Sequence, residues 1–319
     1  MGKTLASTPQ TPKQKLEYPH WISKKTGAIA LVVIYLIAFI VGYLSLPYLA
    51  QHFKSPVLQY YIAQLIMATT IFPFSLAFNN TNVYDIFWFM GTSTIAWFWL
   101  LDAGTFTYPS ILGVVALNLF SLKHFHSFFR EWTGIGYSDF RTKETRANLV
   151  GFPKNVLYWI VFSLIGYHWF QATISFSGIS PLYYVIYKQE NVNPVIVILG
   201  FLAAVGAVLL EHISDEQLFE WRNKKTGKCI DVGLWRYSRH PNYFGECAFW
   251  TGLFIMGIGC SKEALWTGVG ALIMISLFNF VTLPWMERHI GHKAGYDEYK
   301  KTVSRFMFWP RSESKAKKN

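Results

Sequence analysis

Eight stretches of this chain are too long and too apolar to lie on the surface of a soluble domain. They run at about 28–48, 56–77, 86–101, 107–128, 152–171, 193–212, 240–259 and 264–285. About 20 apolar residues suffice to cross the hydrocarbon core of a bilayer as a helix. Inside that core every backbone N–H and C=O must find its partner within the spanning structure, which leaves helices and closed barrels. Uninterrupted aromatic-rich runs without period-two alternation are not barrel strands. The expected fold class is therefore all-α, a polytopic transmembrane helical bundle of seven or eight spans. The two counts differ over the third and fourth runs, which Asp102 and Pro109 interrupt and which read as two spans or as one long kinked unit.

Composition and charge agree with that reading. The chain is 52% hydrophobic and only 15% charged, against about 25% charged for an ordinary soluble domain. Cys229, Cys247 and Cys260 are too few and too scattered for a disulfide framework or a metal cluster. The formal charge of +11 is not a nucleic-acid footprint, because the positive residues gather in the gaps between apolar runs. With eight spans, the N-terminus, the gaps at 78–85, 129–151 and 213–239, and the tail from Met286 share one side and carry most of the lysine and arginine. The other side has only Lys54, Lys188 and Lys262. Basic loops stay in the cytoplasm, so both termini are expected there, and the Asn79-Asn80-Thr81 glycosylation pattern would go unused. The polar segment 1–27 is not a cleavable signal peptide. Residues 28–310 read as one membrane-embedded domain without internal repeats, and 311–319 as a basic tail. Lys315 and Lys317 in that tail form a K-x-K-x-x pattern that suits retrieval to the endoplasmic reticulum.

The longest polar interval, Asp215 to Phe249, holds the densest chemistry. Within it Gly233–Glu246 packs Trp235, Arg236, Tyr237, Arg239, His240, Asn242, Tyr243 and Glu246 against the start of an apolar run. Ionisable groups at that depth are costly unless something binds them. Pro241 suits the first turn of a helix, which leaves Arg239 and His240 at its positive end. Arg236 and Arg239 offer forked donors suited to phosphate. Asn242 and Glu246 are four apart and share a face, able to grip a ribose, an amide or a neighbouring arginine. Asp215 and Arg222 lie two helical turns apart on one face. An interfacial belt of Arg, His, Tyr and Trp is the plain alternative.

Three further polar stations interrupt the apolar pattern. Lys123, His124, His126, Arg130 and Glu131 end the fourth run, with Tyr137, Asp139 and Arg141 beyond it. His124 and His126 lack the spacing and the glutamate of a helical zinc site, so no metal is expected; His124 or Tyr137 is the candidate proton donor. Asp85 leads straight into apolar sequence, either as a cap or as a functional carboxylate. Near the C-terminus, Arg288 or His292 is expected to close a cofactor site from above. The aromatic segment 306–310 is expected to lie on the membrane surface.

The string GLWRYSRHPNYFGE at 233–246, with DEQLFEWR before it and GYDEYKKTVSRFMFWP after it, resembles the steroid 5-alpha-reductase-like superfamily. Sterol C14 reductases share much of the signature, and isoprenylcysteine carboxyl methyltransferases are more distant relatives. The likeness is nearest to the bacterial-type branch and covers most of residues 80–310. It implies a helical membrane enzyme that uses NADPH to reduce an activated carbon–carbon double bond, such as an enone, in a steroid-like or other lipid substrate arriving from the bilayer. It also implies that Asp215 and Arg222, as a DxxxxxxR pattern, contact the cofactor together with the Asn242/Glu246 pair and the Arg239-His240-Pro241 turn. The family's catalytic tyrosine and early glutamate do not carry over. His124 stands where the tyrosine would, and Asp85 is the local carboxylate. Two other readings stay open: an S-adenosylmethionine-dependent methyltransferase of a lipid or prenylated substrate, and a scaffold that keeps the fold without activity.

Overall fold

A computed structural model describes residues 22–312 of the chain. Lys315 and Lys317 lie outside the described residues, as does most of the polar N-terminal segment. Among those described there are helices and turns but no strand, and seven helices are long and apolar enough to cross a membrane. The protein is thus an integral, multi-pass helical bundle. Its long helices are α1 (Lys24–His52), α2 (Pro56–Ala77), α3 (Phe87–Ala103, after a 3-10 turn Thr81–Tyr84) and α4 (Tyr108–Glu131). A short helix α5 (Phe140–Asn148) lies in the loop beyond. α6 runs through 154–187, followed by α7 (Pro194–Asn223), α8 (Pro241–Cys260), α9 (Lys262–Ile290) and the short α10 (Tyr296–Thr302).

Local sequence marks the helix starts. Ser23, Ser55, Thr107 and Asn193 each accept a hydrogen bond from a backbone N–H of the first turn, satisfying groups that would otherwise be orphaned at a membrane boundary. Pro56, Pro194 and Pro241 occupy first positions, where the missing N–H costs nothing.

α6 departs from the expected run at 152–171, because the helix continues to Tyr187. Gln171, Ser175, Ser177, Ser180 and Pro181 depress its hydropathy, and it is not among the seven most apolar helices. It crosses the bundle nonetheless. The Tyr158 hydroxyl bonds Thr81 Oγ1 at 2.8 Å at one end, and that of Tyr187 donates to Asp102 at 2.7 Å at the other. Several of its polar groups are satisfied within the bundle or by its own backbone rather than by lipid. Gln64 of α2 donates to the Ala172 carbonyl at 3.0 Å, and His168 Nε2 meets Ser75 Oγ at 3.1 Å. With α6 there are eight crossings, and the third and fourth runs are separate helices turned by Gly104, whose φ of 61° is left-handed. The described chain ends share one end of the bundle. Gly27 packs on Ile135, and Ser304 O accepts the Arg239 N–H at 2.8 Å.

The tightest packing is between α7 and α8. Gly245, Gly252 and Gly259 recur every seven residues along α8, and a Cβ built on each would strike α7. The atoms met are the Ala207 carbonyl at 3.0 Å, Ala204 N at 2.6 Å and Val197 N at 2.9 Å. Small residues let membrane helices approach backbone to backbone, and this seam holds the polar start of α8 against the polar end of α7. The aromatic interior stacks beside it, with Phe120 and Phe249 rings 4.1 Å apart at 7°. Gly252→Val is expected to cost about 1–3 kcal/mol or more through overpacking and to lower the apparent Tm in detergent. Gly206→Ala, on an exposed face of α7 with nothing within 4 Å, is expected to leave it unchanged or raise it. Differential scanning fluorimetry reads both.

Candidate functional site

At the end of the bundle that holds both described chain ends, the last turns of α4, the last turns of α7 and the first turns of α8 surround a cavity of about 620 Å³. The 3.6-residue period explains which side chains reach it. On α7, Glu211, Asp215, Leu218 and Arg222 follow one stripe; on α8, Asn242, Tyr243 and Glu246 do. Lys123 and His124 come from α4, where a lysine interrupts an otherwise apolar run.

The inner wall is one ion-pair network. Lys123 Nζ lies 2.5 Å from Glu211 Oε1 and 2.6 Å from Asp215 Oδ2, with the lysine side chain only 5% exposed. His124 Nε2 is 3.2 Å from the same Glu211 oxygen. Asp215 Oδ1 accepts from Asn242 Nδ2 at 3.1 Å. α4, α7 and α8 are thereby locked by a lysine between two carboxylates. Two buried acceptors on this wall, Glu211 Oε2 and Asn242 Oδ1, have no hydrogen-bond partner. Glu246, 8% exposed, forms no hydrogen bond or ion pair among the described residues. Ligand atoms of His124, Glu211 and Glu246 lie within 4.8 Å of one another. A cation placed there would sit beside the Lys123 ammonium and be repelled by it, so the cluster reads as an ion-pair network.

Ten of the twelve residues singled out from the sequence line this cavity: Asp85, His124, Tyr137, Asp215, Arg222, Arg239, His240, Asn242, Tyr243 and Glu246. Arg236 and Arg288 do not; both are exposed outside it. Several of the ten have other duties than those expected. Arg239 bonds Glu287 through Nε at 2.9 Å and Nη2 at 2.8 Å, and donates from Nη1 to the carbonyls of Lys300 and Val303. Its fork staples the start of α8 to α9 and α10, leaving little of it for a phosphate. His240 Nε2 lies 3.3 Å from Glu287, and burial holds the imidazole below its ordinary range despite that partner. Asp85 accepts from the Tyr167 hydroxyl at 2.6 Å and from Asn82 at 2.8 Å, so it organises its neighbours instead of presenting a free carboxylate. Asn82 Oδ1 in turn accepts from Ser138 at 2.8 Å and Thr142 at 2.7 Å, fixing the loop that carries Tyr137.

The cavity rim is basic. Arg141, Arg222 and Lys293 line it. Arg141 and Arg222 have carboxylate neighbours, Asp139 at 2.7 Å and Glu131 at 3.1 Å; the Arg222 side chain is half exposed and that of Arg141 partly buried. The Lys293 ammonium is held below its usual range by burial and then by Arg222. Arg222 and Lys293 thus bring two positive charges together in the cavity lining, with Glu131 and Asp139 beside the arginines. Lys293 falls outside the polar groups that the sequence picked out, while Lys123 and Glu211 were visible in it as charges inside or at the end of apolar runs, where such groups pair.

The opposite wall is apolar and aromatic, with Trp88, Phe89, Phe170, Met274 and Phe278. Phe170 and Val281 line it while remaining 49% and 52% exposed on the bundle exterior. The cavity therefore reaches the side of the bundle between α6 and α9. Both helices carry π-helical stretches at this opening, Tyr158–Trp169 and Phe278–Thr282, a distortion that frequently marks functional sites.

Removing one partner of a buried ion pair typically costs about 3–5 kcal/mol, because the other charge is left unpaired. Lys123→Met is accordingly expected to lower the apparent Tm sharply. The Lys123→Met/Glu211→Met double variant is expected to recover part of that loss, as read by thermal unfolding in detergent.

A family model described as Protein of unknown function (DUF1295) matches residues 71–303. No curated protein and no solved structure matches the chain. The matched stretch contains every residue that lines the cavity. The chain belongs to this family, which is of the steroid 5-alpha-reductase-like kind.

Proposed function

We propose that the protein binds NADPH in this cavity and reduces an activated carbon–carbon double bond in a lipid-like substrate that enters from the bilayer. The observation that carries the reading is the cavity's division into a basic mouth, a polar inner wall with unpartnered acceptors, and an apolar side reaching the bundle exterior. These residues fit a dinucleotide. Arg141, Arg222 and Lys293 would hold its phosphates, since forked and ammonium donors bind phosphate well. Asn242 Oδ1, Glu211 Oε2 and Glu246 are acceptors for the amide N–H groups of a nicotinamide ring. NADPH, when bound, supplies a hydride to the β-carbon of an enone.

The remaining chemistry belongs to this chain's side chains. His124 Nδ1 faces the Phe120 carbonyl at 2.9 Å, which can only accept, so Nδ1 carries a proton. Its Nε2 lies 3.2 Å from Glu211 Oε1. His124 lines the cavity beside Glu211 and would pass a proton to a substrate carbonyl or α-carbon. Tyr137 is the second donor. Its hydroxyl is pushed up to about 12 by burial and then by Asp85 and Asp139, so it stays protonated and able to donate at any physiological pH. Aromatic walls that exclude water strengthen polarisation of a bound carbonyl. The basic end of the bundle, with both described chain ends, would face the cytoplasm, and the membrane would be that of the endoplasmic reticulum in a eukaryotic cell.

The test uses the full chain in detergent with isothermal calorimetry against NADPH and, separately, S-adenosylmethionine. Binding of NADPH alone is expected. Arg222→Ala and Lys293→Ala should each weaken it roughly tenfold, since a charge-assisted bond is worth about 1.5–3 kcal/mol. Binding of S-adenosylmethionine alone would move the reading to methyl transfer, and binding of neither would leave a scaffold. With NADPH consumption measured over an enone panel, Tyr137→Phe or His124→Gln should lower kcat by roughly 10²–10⁴-fold, the range for a lost general acid. If Tyr137 is that acid, wild-type turnover should show no loss through pH 10, where an ordinary phenol is about half ionised.

A further inference from the structure

We propose a second, separate site at the far end of the bundle, a groove that binds the headgroup of a zwitterionic phospholipid. It lies where α2 begins, α6 ends and α9 begins, and its volume is about 510 Å³, within the roughly 300–1,000 Å³ of small-molecule sites. Aromatic rings line it: Tyr61, Phe176, Tyr183 and Trp266. Their positions are set by the fold. The Trp266 indole N–H donates to the Tyr184 hydroxyl at 2.6 Å, the Tyr61 hydroxyl meets Thr173 Oγ1 at 2.9 Å, and Tyr61 and Phe176 rings stand 5.3 Å apart.

Tyrosine and tryptophan are common wherever helices meet the headgroup layer, but a simple belt presents them outward and needs no charge. Here the rings form a concave wall that also carries one cation, Lys188, and one anion, Glu263. Both lie near Tyr183, and neither side chain has a hydrogen-bond or ion-pair partner among the described residues. Glu263 is held in place by the first turn of α9, where Ser261 Oγ accepts its backbone N–H at 3.2 Å.

A phosphate linked by two carbons to an ammonium answers both charges at once. Lys188 meets the phosphate, while Glu263 and the ring faces take the ammonium, which aromatic quadrupoles attract. An anionic headgroup would satisfy Lys188 but set a negative charge against Glu263. A purely cationic amphiphile would do the reverse. The level of the groove, at the ends of spanning helices, is where a headgroup lies while its acyl chains follow the apolar exterior. The site is independent of the NADPH cavity at the other end of the bundle.

Native mass spectrometry of the full chain in detergent tests this, with phosphatidylcholine and phosphatidylglycerol of identical acyl chains in equal amounts. The wild-type protein should retain phosphatidylcholine roughly fivefold better, the equivalent of about 1 kcal/mol for a cation–π contact. Glu263→Gln, an exposed change that leaves the fold intact, should erase that preference, and Lys188→Gln should weaken retention of both lipids. Equal retention of the two lipids by the wild-type protein, or a preference unchanged in Glu263→Gln, would overturn the proposal.

Discussion

A lysine ammonium buried between two carboxylates joins α4, α7 and α8, and the geometry of the large cavity follows from it. Away from water such a group is tolerable only when paired and hydrogen-bonded, and Lys123 meets Glu211 and Asp215 at 2.5 and 2.6 Å. Asp215 then passes the constraint to α8 through Asn242. The glycine seam between α7 and α8 is the complementary requirement. Without backbone-to-backbone approach at Gly245 and Gly252, the first turn of α8 could not stand opposite the last turns of α7. Apolar packing thus places the helices, and the ion network fixes which side chains face inward and which acceptors are left for a ligand.

Much of this was legible in the residues. Apolar run length located the starts of the spanning helices within a few residues, and the polar string 233–246 pointed to the start of α8, whose side chains line the cavity. What escaped was of two kinds. α6 was cut short because hydropathy cannot distinguish a serine or glutamine facing lipid from one bonded to a neighbouring helix, as Gln64 and Ser175 are. Arg239 looked free for phosphate because its partner, Glu287, lies 48 residues further along the chain. Nothing local distinguishes an arginine that staples a fold from one that waits for a ligand. Conversely, the charged Lys123 within an apolar run and the seven-residue glycine spacing were readable signals of the two constraints that matter most.

The cavity also accounts for the arrangement of charges around it. Structural arginines, such as Arg239 with Glu287 and Arg130 with Glu216, are consumed in ion pairs. On the rim, Arg141 and Arg222 also have carboxylate partners, but the Arg222 side chain stays half exposed, and Lys293 stands beside it with a like charge. The apolar side, which opens beside the π-helical stretches of α6 and α9, completes a cavity that is polar on one wall and aromatic on the other.

A structure of the full chain in lipid nanodiscs with NADPH present tests the central claim most directly. The account predicts nucleotide density running from Arg222 and Lys293 at the rim to Asn242 and Glu246 at the inner wall, with the Lys123 network intact behind it. A cavity filled by lipid alone under saturating NADPH, or nucleotide bound elsewhere on the protein, would contradict it.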